Sequence, residues 1–104
     1  MKKYILNTPV LTGFGLFRFS KISIDEAKEL AANAISAVGH QGAAEVLSNI
    51  LGMEIKVNRA EILMEPGDIA VVFRIKRRLP EGAVLDAEET LRLPYDLGKL
   101  ERIE

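Results

Sequence analysis

Between residues 35 and 52 the apolar pattern changes its period, and that change confines the fold. Residues 35–38 form a short, mostly apolar run that reads as a strand. Residues 43–51 repeat apolar side chains at helical spacing, with Ala44, Leu47, Ile50 and Leu51 on one stripe. A strand feeding an amphipathic helix implies a sheet with helices packed on it. Gly39 turns the chain between the two and delivers His40, the one histidine in the sequence, to the first turn of the helix. Without a β-carbon at Gly39, a ligand can come close to the backbone. The unpaired N–H groups and positive end of the helix favour an anion, typically a phosphate. A side chain that titrates near neutrality thus stands beside a potential phosphate site. The ordinary alternative is a common strand–glycine–helix junction carrying an inert histidine.

The flanking segments supply the remaining elements. Residues 2–6 alternate and carry Tyr4 and Ile5, as a first strand would, and a loop marked by Pro9 and Gly13 follows. In open α/β sheets a loop just past a strand's carboxyl end is where ligands tend to bind. Residues 14–19 read as a second strand, with Gly15, Phe17 and Phe19 on one face and Phe14, Leu16 and Arg18 on the other. Ser23 and Glu26 form a capping-box pair ahead of a first helix striped by Ile24, Ala27, Leu30, Ala31 and Ala34. Gly52 is a C-cap for the second helix. Residues 60–64 and 69–77 read as strands of an antiparallel hairpin, joined by Glu65-Pro66-Gly67-Asp68, a type II turn pattern. In the second of these, Ile69, Val71, Phe73 and Ile75 share one face and Ala70, Val72, Arg74 and Lys76 the other. A third helix is expected over residues 86–93, capped by Asp86 and ended by Pro94, and residues 97–103 are expected to close the sheet as an edge strand. The fold class is α/β with α+β character: one domain over residues 1–104, a mixed sheet of about five strands flanked by three helices.

Composition narrows the chemistry. With no cysteine there is no disulfide, thiolate nucleophile or sulfur metal site, and a single histidine leaves a zinc site without partners within one chain. No cofactor is expected. A net charge of −1 disfavours duplex nucleic acid but allows a local basic pocket for a small anion. There is no apolar run long enough to cross a bilayer, and the opening residues lack the shape of a signal peptide, so a cytoplasmic protein that does not engage membranes is expected. Neither phosphate-cradling nor dinucleotide-binding glycine patterns occur. Neither Ser36 nor Ser48 stands in the context of a nucleophile elbow.

Beyond His40, the cations Arg59, Arg74, Lys76, Arg77 and Arg78 stand out. Arg59 and Arg78 flank apolar segments at loop positions, where guanidinium groups can clamp phosphate through paired, charge-assisted bonds; exposed arginines are also often simply solvated. Glu81 sits in a Pro-Glu-Gly turn and matters if that turn folds over a site. Asn7 ends the first strand, where it could bind a ligand or only make a turn hydrogen bond.

The ordered set Tyr4-Ile5-Leu6-Asn7, Ser36-Ala37-Val38-Gly39-His40, Val57-Asn58-Arg59-Ala60-Glu61-Ile62, Arg77-Arg78-Leu79-Pro80-Glu81-Gly82 and Leu100-Glu101-Arg102-Ile103-Glu104 resembles the viral anti-CRISPR ring nuclease family. That family comprises small crenarchaeal-virus and phage proteins, with cellular relatives used alongside type III CRISPR systems. The resemblance spans the whole chain, and the order of the segments carries it rather than any single motif. It implies a homodimer that cleaves cyclic tetra-adenylate without metal. It also implies His40 as general acid, Arg59 and Arg78 on the substrate, Arg78 and Glu81 in the catalytic set with Glu81 orienting Arg78 or the 2′-hydroxyl, and Asn7 at the end of the first strand. Thr8 and Gly39 complete the expected contacts. Val10 replaces a serine of some members, leaving backbone, Thr8 or Thr12 to make that contact, and Arg74 replaces a neutral polar residue.

On this expectation the ribose 2′-hydroxyl attacks the adjacent phosphorus and His40 protonates the departing 5′-oxygen, giving linear di-adenylates with 2′,3′-cyclic phosphate ends. Two histidines related by a two-fold axis would match the symmetry of the ring, and residues 79–82 could act as a lid. A binding-only sponge for the same ring and a protein-binding inhibitor of a CRISPR complex are the rival expectations.

Overall fold

The computed structural model describes residues 2–8, 11–75 and 94–104. Within them lie five strands, β1 (Lys3–Leu6), β2 (Phe17–Lys21), β3 (Ile35–Ser36), β4 (Ile69–Ile75) and β5 (Tyr95–Arg102), and two helices, α1 (Ile24–Ala31) and α2 (Gln41–Leu51). The strands form one mixed sheet in the order β2-β5-β4-β1-β3. β1 pairs in parallel with β3 and β4, whereas β5 runs antiparallel to β4 and β2. Strands β1, β2, β3 and β4 therefore all point the same way, and their carboxyl ends share one rim. The expected α+β architecture is present; the expected helix over residues 86–93 lies outside the described residues.

Alternation along β4 sorts the core. Val71 and Phe73 face both helices and join Ile5, Leu97, Ala27, Ala31, Val46, Leu47 and Leu51 in one buried cluster. Ala70 and Val72 face the other way and join Tyr4, Leu6, Met64 and Leu100. Ser23 caps α1 by accepting from the Glu26 N–H at 3.2 Å. The Glu26 side chain reaches Lys99 on β5 at 3.4 Å. Helix α1 stops at Ala31, and Asn33 takes φ 63°, so Ala34 leaves the helical stripe. Helix α2 ends at Gly52, with φ 66°. No helix among the described residues is long and apolar enough to cross a membrane.

Four expectations need correction. Residues 60–64 are not a strand, so the 60–64/69–77 hairpin does not exist. The type II turn does exist: Gly67 has φ 94° and the Asp68 N–H donates to the Glu65 carbonyl at 2.9 Å. The places on either side of β4 are taken by β1 and β5, so residues 60–64 cross the sheet face instead, where Ile62 and Met64 pack on Tyr4 and Leu100. The second strand starts at Phe17 rather than residue 14. Gly15 has φ 154°, and a β-carbon there would run into the Glu104 carbonyl oxygen. The last strand is interior, between β4 and β2, rather than an edge. Finally, His40 is the N-cap of α2 rather than a residue of its first turn.

Candidate functional site

The shared rim gathers several of the candidate residues. Asn7 and Thr8 follow β1, Gly39 and His40 follow β3, and Arg74 lies near the carboxyl end of β4. β1 lies between β3 and β4, so Arg74 stands about 10 Å from the β3 end across two strand spacings. Asn7 is half-buried; Thr8, His40, Arg59 and Arg74 are exposed.

Arg59 reaches the rim by a route that no local pattern announces. After α2, residues 55–58 run beside β3. The Ser36 hydroxyl donates to the Lys56 carbonyl at 2.6 Å, the Asn58 N–H donates to the Val38 carbonyl at 2.8 Å, and Asn58 Nδ2 donates to the Ser36 carbonyl at 2.7 Å. The Ser48 hydroxyl on α2 accepts from the Ile55 N–H at 2.9 Å and holds the start of this segment. Arg59 then donates through Nε to the Gly39 carbonyl at 3.1 Å. That bond leaves the two terminal guanidinium nitrogens for other partners. Gly39 also has a structural part, beside the close ligand approach expected of it. A β-carbon there would sit 3.4 Å from Arg59 Cγ, so the missing side chain seats the arginine stem on the turn.

His40 is held at the same turn. Its Nδ1 accepts from the Ala43 N–H at 3.1 Å, and its carbonyl accepts the Ala44 N–H at 3.0 Å, opening the helix. A nitrogen that accepts a hydrogen bond carries no proton, so the neutral ring has its proton on Nε2. No acidic residue occupies the first turn of α2, so the positive end of the helix faces no carboxylate of its own. The rim thus presents an imidazole, a seated guanidinium and a helix start around one turn. Such a set can hold a phosphate and offer a proton donor or acceptor beside it. Arg78 and Glu81 lie outside the described residues.

A family model described as STIV B116-like matches residues 3–97. The chain belongs to the STIV B116-like family. It is 34% identical over 109 residues to protein ORF117 of Acidianus two-tailed virus, across 97% of this chain and 93% of that protein. It is 42% identical over 105 residues to protein 26 of Sulfolobus islandicus filamentous virus, across 94% of this chain and 89% of that protein. Among solved structures it is similar to B116 of Sulfolobus turreted icosahedral virus, with a TM-score of 0.81 and 22% identity over 98% of this chain and all of that one. At that identity the match with B116 is a match of fold. Viral proteins are thus among the relatives of this family member.

Two residues that build the rim escaped the sequence reading. Ser36 and Asn58 tie β3 to the segment that carries Arg59, yet they stand 22 positions apart. Ser36 shows in sequence as a polar residue within an apolar run, whereas Asn58, between Val57 and Arg59, carries no such mark. Nothing local pairs them.

Proposed function

We propose that the protein is a metal-independent ring nuclease that grips cyclic tetra-adenylate as a homodimer and cuts it to linear di-adenylate with 2′,3′-cyclic phosphate ends. Acting in the host cytoplasm, it would end type III CRISPR signalling. The observation that carries this reading is the turn at Gly39, where His40 caps α2 and Arg59 is seated on the glycine carbonyl. Membership of a family with viral members supports it further.

The chemistry needs no bound water or metal, because the ring brings its own nucleophile. Fixing the 2′-hydroxyl in line with phosphorus lowers the barrier by positioning. Arg59 and Arg74 offset phosphate charge. As the 2′-oxygen bonds to phosphorus its hydroxyl proton is released to solvent, and as the bond to the 5′-oxygen breaks His40 donates a proton to that oxygen, a contribution of about 10²–10⁴-fold. An imidazolium has a proton on both nitrogens and cannot accept the Ala43 N–H. The acid form must therefore leave the cap, and an arriving phosphate oxygen can replace Nδ1 as the acceptor for that N–H. Arg78 and Glu81 keep the roles of a second phosphate contact and its orienting carboxylate.

Incubation with labelled cyclic tetra-adenylate in EDTA tests the reading, using His40→Ala and His40→Asn beside the wild type. Asparagine is a good N-cap but no acid. His40→Ala is expected to cost about 0.5–2 kcal/mol of stability and His40→Asn less, while turnover falls about 10²–10⁴-fold in both. Undiminished turnover in both variants would remove His40 from the mechanism. One observation favours a binding-only sponge as a second reading: Nδ1 is committed to the cap. Tight ring binding by wild-type protein without any di-adenylate would decide for that reading.

A further inference from the structure

The face of the sheet turned away from the helices bears a second feature at the same rim. A cavity of about 140 Å³ opens over β2, β5 and β4, and Phe19, Lys21, Val72, Arg74, Asp96 and Gly98 are among its walls. Its floor depends on a glycine. In the β2–β5 ladder Phe19 lies opposite Leu100 and Lys21 opposite Gly98, and a β-carbon at 98 would run into the Phe19 ring. The ring thus lies over Gly98, which covers the side of it turned to the strand. Phe19 nonetheless remains 53% exposed. Packing an aromatic ring onto a glycine is a known way to stabilise a strand pair. That accounts for the covered face but not for what stands around the exposed one. Lys21, two residues along β2, lies on the same side as Phe19. Arg74 faces the cavity from β4, opposite Asp96 of β5 in the ladder. Lys21 and Arg74 are both exposed.

An aromatic plane flanked by cations is how proteins hold unpaired nucleotides: the base stacks and the cations take the backbone. β5, at the cavity's centre, lies three strand spacings, about 14 Å, from the β3 end that carries His40. Both stand on one rim. We propose that this cavity receives one adenine base of the cyclic ligand, stacked on the exposed face of Phe19, with Lys21 and Arg74 on the flanking phosphates. The proposal rests on the nucleotide-binding reading above and adds to it a base-recognition site.

The test uses a non-cleavable cyclic tetra-adenylate, its attacking hydroxyls methylated, with one adenine replaced by fluorescent 2-aminopurine. Adenosine monophosphate is titrated in parallel by NMR. Phe19→Leu keeps an apolar cover over Gly98, and Lys21→Ala changes only an exposed side chain; thermal melts check that both variants fold. Phe19→Leu is expected to weaken ring binding about tenfold and to abolish part of the fluorescence quench. Lys21→Ala should weaken binding several-fold and flatten its salt dependence. Ring affinity and quench unchanged in folded Phe19→Leu overturn the pocket and leave the ring nuclease reading standing. Adenosine monophosphate bound in a Phe19-dependent way, with the ring ignored, keeps a nucleotide pocket and overturns the ring reading. Wild-type protein that binds neither ligand overturns both.

Discussion

The two faces of the sheet are covered by different means. On one, α1 and α2 lay Ala27, Ala31, Ala44, Leu47 and Leu51 over Ile5, Val71, Phe73 and Leu97, and the contact is almost wholly apolar. Most helix backbone groups are already paired within the helices, so side chains can pack without polar fixings. On the other face the cover is irregular chain, residues 11–16 and 59–64. Irregular backbone has to find its partners elsewhere. The Thr12 hydroxyl accepts from the Met64 N–H at 2.9 Å, and Arg102 donates to the carbonyls of Met64 and Phe14. Asp68, only 3% exposed, accepts from the N–H groups of Lys2 and Glu65, each at 2.9 Å. This cover leaves Leu11 and Leu63 each 64% exposed and Phe14 open to solvent. The helical face is held by area, and the other by a smaller apolar cluster together with a few polar bonds. The proposed nucleotide contacts lie along the rim between them.

The largest effect should come from the helical face. Phe73→Ala removes a fully buried ring and is expected to cost about 3–5 kcal/mol in urea unfolding. A cost below about 1 kcal/mol would break the contrast. Next is the polar joint: Asp68→Ala removes the buried acceptor shared by two part-buried N–H donors and should cost about 1–3 kcal/mol.

That joint also carries a pH signature. Burial by itself raises the Asp68 carboxyl, but hydrogen bonds from the Glu65 and Lys2 N–H groups and the nearby charge of Lys2 outweigh it and hold the group below its ordinary value of 3.8. The unfolded chain therefore takes up this proton first as pH falls. The stabilisation is complete above the ordinary value and is lost as pH drops through the folded one. Urea midpoints measured from pH 6 to pH 2.5 should fall more steeply for wild type than for Asp68→Asn. Parallel curves would remove Asp68 from the acid response.

Thr12→Val keeps shape while deleting the acceptor for Met64, and about 1 kcal/mol is expected. Hydrogen exchange should show the Met64 amide losing protection ahead of amides in α2. Uniform loosening would mean that the two covers are one cooperative unit. The smallest effect belongs to Glu26→Gln, which cuts a partly exposed ion pair to Lys99. A change of about 0.5 kcal/mol or less is expected, and it should fade in high salt. A larger value would mean that the helical face also relies on polar fixings.

The outcomes of the sequence reading follow the same division. Elements whose cause lies within a few residues were legible: the alternation of β4, the Ser23 cap of α1, the Gly52 stop of α2 and the Pro66-Gly67 turn. The turn motif was legible too, but its consequence was not. A turn between two apolar runs signals a hairpin only if the second run finds the first as its neighbour. Here β1 and β5 compete for both sides of β4 and win. The site divides likewise. His40 beside Gly39 at a helix start is contiguous in sequence, whereas Arg59 on the Gly39 carbonyl and the Phe19 ring on Gly98 join residues 20 and 79 positions apart.

By itself, then, the sequence determined the two described helices, the cores of most strands and which face of each is apolar, whereas residues 60–64 carry a strand pattern and stay out of the sheet. Backbone period and capping act over one or two turns of chain, and no distant contact is needed to set them. Strand order, the interior place of β5, and the gathering of Asn7, Gly39, His40, Arg59 and Arg74 at one rim were decided only by tertiary structure. Several pairings satisfy the same local pattern. The one adopted is chosen by the combined burial of both faces and by the backbone groups that irregular chain must still pair.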